Sequence, residues 1–263
     1  MPPDLREPPF DVLLAPWHLD EPLDEFPVPH GARVITPVAL GDRAGSLQTV
    51  ADAVTQRARP LLLSADCLTA LGIVAGLQRS HRDLAVVWLD GHGDFNTPTI
   101  SESGYLSGMT LAMLTGHATD VLAEPLGIAP ILERRTLLID ARDLDPPERA
   151  ALEASAIVRT TAARADVAAA LDRLGTASVY LHIDLDVVDG GELPQLRFPT
   201  PSGPGLQQVQ DCLEEIVNRV NIVGACIACT FRADAIASRP SIAAIQSIAA
   251  TVGAELAFDE TTA

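Results

Sequence analysis

The chain contains no lysine; all 18 of its cations are arginine. That absence excludes Schiff-base chemistry of the pyridoxal phosphate or aldolase kind and a Walker A phosphate loop, because each needs a lysine amine. Aromatic residues make up only 4%, so stacking platforms for nucleic-acid bases are not expected. Positive charge is scarce: 18 cations face 35 Asp and Glu, for a formal net charge of −17. Phosphate backbones and anionic membrane surfaces require clustered cations, so neither nucleic acid nor membrane is an expected partner. The sequence has no uninterrupted apolar run of the roughly 18 residues that suggest a membrane span. The stretch 1–9 lacks the basic and apolar regions of a secretory leader, and the cytoplasm is the expected location. The four cysteines, Cys67, Cys212, Cys226 and Cys229, do not have the spread of a small disulfide-stapled domain.

Hydrophobic residues reach 48% of 263, enough for a large core. No linker or repeat divides the chain, and residues 1–263 read as a single domain. Short apolar runs predict strands at 11–16, 33–37, 60–64, 84–89, 136–140, 156–159, 178–183 and 221–230. Helical patterns fall at 47–58, 68–79, 167–174, 206–220 and 241–252. Several of the strands are continuously apolar, as strands buried on both faces are. The alternation predicts an α/β fold, one mainly parallel eight-stranded sheet with helices on both faces. Residues 189–204, rich in Pro and Gly, read as a surface loop. Ligands of such sheets bind beyond the carboxyl ends of the strands, so the polar residues at those ends carry the functional signal.

The fourth strand ends in Asp90-Gly91-His92-Gly93-Asp94-Phe95-Asn96. Asp90, His92 and Asp94 alternate and share one face of an extended segment. The seventh strand ends in Asp184-Leu185-Asp186. Leu185, Val187 and Val188 break the polar spacing of an EF-hand loop, which excludes that reading. Carboxylates aimed into one buried site repel each other, and a divalent cation removes that cost. Four carboxylates and an imidazole suit a pair of hard to borderline metals such as Mn²⁺.

These segments resemble the two metal motifs of the ureohydrolase (arginase/agmatinase) family. The likeness extends over roughly 61–252 and takes in Arg142-Asp143-Leu144-Asp145 and Ser103-Gly104-Tyr105-Leu106-Ser107-Gly108-Met109. It implies a three-layer α/β/α, arginase-like fold and a binuclear manganese site. Asp90 and Asp184 would bridge the metals. His92 and Asp186 would complete one position, and Asp94 and Cys67 the other. Asp94 would also handle the proton of the nucleophile. Asn96, Ser103 and Asp145 would read the amino and carboxylate groups of an amino-acid substrate.

Three positions depart from the family pattern. Cys67, in Ser64-Ala65-Asp66-Cys67, stands where the family has a metal-binding histidine, so one metal, or Zn²⁺ in place of Mn²⁺, is an alternative to two Mn²⁺. Ser107 stands where a proton-shuttling histidine is expected and takes the catalytic position. Cys229 aligns with a glutamate that holds the guanidinium. The first two departures resemble the branch that hydrolyses Nω-hydroxy-L-arginine in D-cycloserine biosynthesis. Hydroxylation makes a guanidine less basic, so attack on it depends less on a separate proton donor. The expected activity is therefore hydrolysis of a guanidino or hydroxyguanidino amino acid to a urea and an amine, with self-association into a homo-oligomer left open. The competing readings are a catalytically impaired relative that binds a ligand or partner, and an amide hydrolase. Cys67 and Cys229 would face one cavity and could bridge on oxidation. Cys226-x-x-Cys229 lies on a strand and does not read as a redox or zinc pair. Cys212 reads as packing. His182 shares the parity of Asp184 and reads as a supporting or core histidine rather than a ligand.

Overall fold

The computed structural model describes residues 8–175, 178–232, 235 and 238–258. Ten strands appear among them: β1 Asp11–Ala15, β2 Trp17–His18, β3 Glu21–Pro22, β4 Arg33–Val34, β5 Pro60–Ser64, β6 Leu84–Asp90, β7 Thr136–Asp140, β8 Val158–Thr160, β9 Ser178–Asp184 and β10 Asn221–Ala228. Seven α-helices accompany them: α1 Arg43–Thr55, α2 Ala70–Gln78, α3 Thr110–Leu114, α4 Pro146–Ala154, α5 Arg164–Leu174, α6 Leu206–Arg219 and α7 Arg239–Val252. Eight strands form one sheet in the order β4-β1-β5-β10-β9-β6-β7-β8, with every neighbouring pair parallel. The small β2–β3 hairpin is antiparallel.

Alternation along the strands splits the core in two. Leu13, Leu62, Trp88 and Tyr180 face α1, α2 and α3, while Leu14, Leu61, Leu89 and Leu181 face α5, α6 and α7. This is the expected three-layer α/β/α arrangement. The continuous apolar runs of β5 and β7 have the boundaries that the sequence predicts. Strand β10 leaves the ladder at Ala228, so Cys229 and Thr230 sit on the connection beyond it. A register shift between Ile222 and Gly224 also interrupts β10. Helix α4 was not expected. Its only buried residues are Glu148 and Leu152, so no apolar stripe marks it. Helix α3 is five residues long and buried all round, which leaves no period to read.

Candidate metal centre and active site

Strands β5, β10, β9 and β6 lie side by side at the middle of the sheet. Their carboxyl ends converge on one cavity of about 430 Å³. Asp90 ends β6 on the face of Val86 and Trp88, and Asp184 ends β9 on the face of Tyr180. The turn after β6 needs its glycines for want of space. A Cβ on Gly91 would lie 2.7 Å from the Asp186 carbonyl oxygen. One on Gly93 would lie 2.6 Å from both Glu148 Oε1 and Leu144 Cδ2. Asp94, between them and Phe95, takes a left-handed φ of 47°, a conformation that costs a non-glycine residue energy and that the surrounding contacts hold in place.

The six expected ligands, Cys67, Asp90, His92, Asp94, Asp184 and Asp186, all line this cavity. His92 Nδ1 lies 2.9 Å from Asp186 Oδ2 and 3.6 Å from Asp90 Oδ1. Backbone and side-chain donors fix the carboxylates. Gly91 N–H donates to Asp186 Oδ1 at 2.9 Å, Asp186 N–H to Asp184 Oδ1 at 2.9 Å, and Trp88 Nε1–H to Asp90 Oδ2 at 3.0 Å. The Cys67 thiol donates to Asp184 Oδ2 at 2.8 Å. Arg142 locks the segment behind Asp186: its guanidinium pairs with Asp140 and donates to the carbonyls of Asp186 and Val187 at 3.0 Å and of Thr200 at 2.7 Å.

So many buried acids in one place perturb each other. Burial first, then the charge of Asp186, pushes Asp90 up to about 7. Burial and the neighbouring carboxylates raise Asp94 and Asp184 well above the carboxylate range. Burial also acts on Asp186, but the hydrogen bond and charge of His92 outweigh it and hold Asp186 low. Burial works against His92, yet its bonds to Asp186 and Asp90 carry it up to about 12. Buried polar atoms are normally partnered, but here Asp94 Oδ2 and His182 Nε2 are not. Two sets of donor atoms, Asp90/His92/Asp186 and Cys67/Asp90/His182, each lie within 4.8 Å of one another. Two donor sets that share Asp90, with crowded acids and orphaned atoms around them, fit a pair of divalent cations bridged by a carboxylate.

The expected substrate residues stand along the wall. Asn96 Nδ2 donates to Asp145 Oδ2 at 3.3 Å, and Ser103 Oγ accepts from Tyr105 N–H at 3.2 Å. Both pairs line the cavity with Ser107. Ser107 Oγ donates to Asp66 Oδ1 at 2.5 Å, so it offers lone pairs rather than a proton to the cavity. Cys229 is placed differently from the sequence expectation. It is fully buried in the core cluster that faces α5–α7 and is not among the cavity-lining residues. Thr230 lines the cavity instead. The register shift in β10 is the cause: Val223 packs with the α1–α3 cluster, a Cβ on Gly224 would also point at Leu77 of α2, and alternation resumes with opposite parity,. The two thiols therefore do not share the cavity, and all four cysteines are free.

Sequence reasoning gave no role to Arg142, Glu148 or Thr230. Glu148 Oε1 accepts from Phe95 N–H at 2.9 Å and buttresses the turn that carries Asp94. It lies in the first turn of α4, where Asp145-Pro146-Pro147-Glu148 has the spacing of a helix start, a signal for the helix but not for the contact with Phe95. Arg142 lay inside a recognised motif, but its carbonyl partners come from residues some 45 to 60 positions away, which no local pattern reveals.

A parallel α/β/α sandwich with a cluster of candidate metal ligands at its strand ends defines a class of fold, and the comparisons agree with it. The chain belongs to the arginase family, whose profile matches residues 30–257. It is 31% identical to an N(omega)-hydroxy-L-arginine amidinohydrolase of Streptomyces lavendulae over 194 residues, 72% of this chain and 68% of that protein. It is 30% identical to an arginase of Bacillus subtilis (strain 168) over 187 residues, 68% of this chain and 63% of that one. The matches thus span from under two thirds to about two thirds of these relatives' length. Among solved structures, an arginase from Bacillus cereus superposes with a TM-score of 0.80 at 21% identity, covering 93% of this chain and 97% of the other. That likeness speaks to the fold. Among the described residues, no helix is long and apolar enough to cross a membrane.

Proposed function

We propose that the protein is a manganese-dependent amidinohydrolase. It cleaves the guanidino or N-hydroxyguanidino group of an amino acid, with Nω-hydroxy-L-arginine preferred, to a urea and an amine. The observation that carries this reading is the cavity itself, with Asp90, Asp94, Asp184, Asp186 and His92 at its floor and Asn96, Ser103 and Asp145 on its wall. Two cations held there would supply Lewis-acid activation of water for attack on the guanidino carbon. The side chains do the rest. Asp94 Oδ2 has no partner among the described residues and is placed to accept the proton of the attacking water. Asn96, oriented by Asp145, and Ser103 recognise the amino-acid end. Ser107, its own proton committed to Asp66, accepts a hydrogen bond from the substrate rather than shuttling a proton to it. Thr230 Oγ1 donates to the Ala65 carbonyl at 3.0 Å and likewise presents lone pairs. A pair of acceptor hydroxyls suits a hydroxyguanidine, which carries an added N–OH donor and is less basic than guanidine.

The test is metal analysis of purified protein followed by assay of urea and hydroxyurea release. The expected result is up to two Mn²⁺ per chain and a kcat/KM at least tenfold higher on Nω-hydroxy-L-arginine than on L-arginine. Metal-loaded protein that turns over neither substrate refutes the reading. Activity confined to agmatine, which lacks the carboxylate, refutes the roles of Asn96 and Ser103.

A further inference from the structure

His182 lies on β9, two residues before Asp184, fully buried beneath the cavity floor. Everything about its ring is fixed except one atom. The imidazole stacks on Trp88 with centroids 3.6 Å apart and planes 12° from parallel. Its Nδ1 lies 2.9 Å from the Tyr180 hydroxyl. In the tautomer in which Nδ1–H donates to the Tyr180 oxygen, Nε2 keeps its lone pair. Nε2 is buried and has no hydrogen-bond partner among the described residues. One nitrogen of the ring lies within 4.8 Å of a Cys67 sulfur and an Asp90 oxygen, which are themselves within that distance of each other. Trp88, the same ring that stacks on His182, orients Asp90 through its indole N–H.

A buried imidazole with one nitrogen hydrogen-bonded, the other unpartnered, and a thiol and a carboxylate beside the ring has the arrangement of a metal ligand with its supporting shell. We propose that His182 Nε2 is a direct ligand of the cation at the Cys67 position. It completes a sulfur, nitrogen and oxygen set with Cys67 and Asp90. This inference rests on the reading of the cavity as a metal centre. It also makes the two positions chemically unequal. The Asp90/His92/Asp186 position is dominated by oxygen and suits Mn²⁺. The position with a thiolate and a second imidazole is softer and favours Zn²⁺. Binding there releases the Cys67 proton, which now rests against Asp184.

The test uses Zn²⁺ alone, at one equivalent, and zinc K-edge X-ray absorption. The His92→Gln protein removes the other imidazole of the site, so a first shell with one sulfur near about 2.3 Å and one imidazole nitrogen near about 2.0 Å can come only from Cys67 and His182. That spectrum is the expected result. His182→Gln in the wild-type background should keep the sulfur and weaken Zn²⁺ binding at least tenfold by competition titration. A shell with sulfur but no imidazole in the His92→Gln protein overturns the proposal without reference to any His182 variant. So does unchanged Zn²⁺ affinity in His182→Gln. Wild-type protein that binds neither Zn²⁺ nor Mn²⁺ overturns the metal-centre reading itself, which separates the two failures.

Discussion

Replacing Asp90 by Asn should stabilise the metal-free protein while abolishing its response to metal. In the folded chain Asp90 is pushed up to about 7 by burial and by Asp186; in the unfolded chain a carboxyl titrates near 4. The folded state therefore holds the proton more tightly, and ionising Asp90 opposes folding. The cost begins as pH rises through about 4, grows until about 7 and is constant above. A rise of about 3 pH units corresponds to about 4 kcal/mol at pH 7.5. The variant removes that cost but loses some bonding. Asp90 accepts from Trp88 Nε1 and from His92 N–H, and one amide oxygen can serve only one of these donors. Leaving the other against an NH₂ costs about 1–3 kcal/mol. The net gain is about 2 kcal/mol, or about 5 °C in Tm for a domain of this size.

Two further signs make the argument refutable. At pH 4 the wild-type carboxyl is largely protonated, the electrostatic cost is gone and only the lost hydrogen bond remains, so the order of stability should reverse. Wild-type protein in Mn²⁺ at 100 times its Kd should gain about 2.7 kcal/mol, and the variant should gain nothing. The assay is thermal unfolding in EDTA at the two pH values and again with Mn²⁺ at pH 7.5. A variant that melts below wild type in EDTA at pH 7.5, or one that keeps the Mn²⁺ shift, would show that the acids of the cluster are not held together against their own repulsion.

Three other expectations follow from single contacts. Asn96→Ala should raise KM for α-amino-acid substrates about tenfold, the loss of one hydrogen bond to a charged group, with kcat little changed in steady-state assays; an equal fall in kcat would place Asn96 at the reacting atoms instead. Gly93→Ala pushes a methyl group into Glu148 and Leu144 and should cost about 1–3 kcal/mol in urea unfolding. Because Asp94 is the next residue, the same variant should bind Mn²⁺ more weakly by titration. Arg142→Lys keeps the charge but loses the fan of bonds to the carbonyls of Asp186, Val187 and Thr200, and denaturant titration should show a loss of about 2–4 kcal/mol.

Sequence patterns were informative where structure follows from short-range alternation. Strands buried on both faces show as apolar runs, and parity along β6 puts Asp90 on the cavity side; His92 and Asp94 reach the same cavity through the turn beyond the strand, where alternation no longer holds. The far end of β10 differs from the expectation. Alignment with the family pattern puts Cys229 on the cavity face, but the extra residue at the register shift turns Cys229 inward and brings Thr230 round. A bulge is set by how a strand meets its neighbours, and a single chain read in isolation does not contain that information. His182 illustrates a different limit. Its parity with Asp184 was visible, but whether a buried imidazole supports or ligates depends on which of its nitrogens is left without a partner. Tyr180, against Nδ1, and Trp88, stacked on the ring, bear on that.

The exchange of Cys229 for Thr230 at the cavity wall has a consequence for substrate choice. With two divalent cations bound, the carboxylates at the floor are neutralised, and the wall near Thr230 offers a guanidinium a hydroxyl where the family pattern places a carboxylate. A cationic side chain entering there is stripped of water without a full partner; a less basic hydroxyguanidine is penalised less. Thr230→Glu should therefore raise kcat/KM for L-arginine relative to Nω-hydroxy-L-arginine. A charged hydrogen bond of about 1.5–3 kcal/mol predicts a change in the ratio of about 10- to 100-fold. Cys229→Glu should do the opposite of what alignment alone suggests. It buries a carboxylate in the apolar cluster facing α5–α7, so it should lower Tm sharply and leave the substrate ratio unchanged. Measuring both ratios decides between the positions: a shift toward L-arginine in Cys229→Glu and none in Thr230→Glu would mean that β10 carries the opposite face to the cavity.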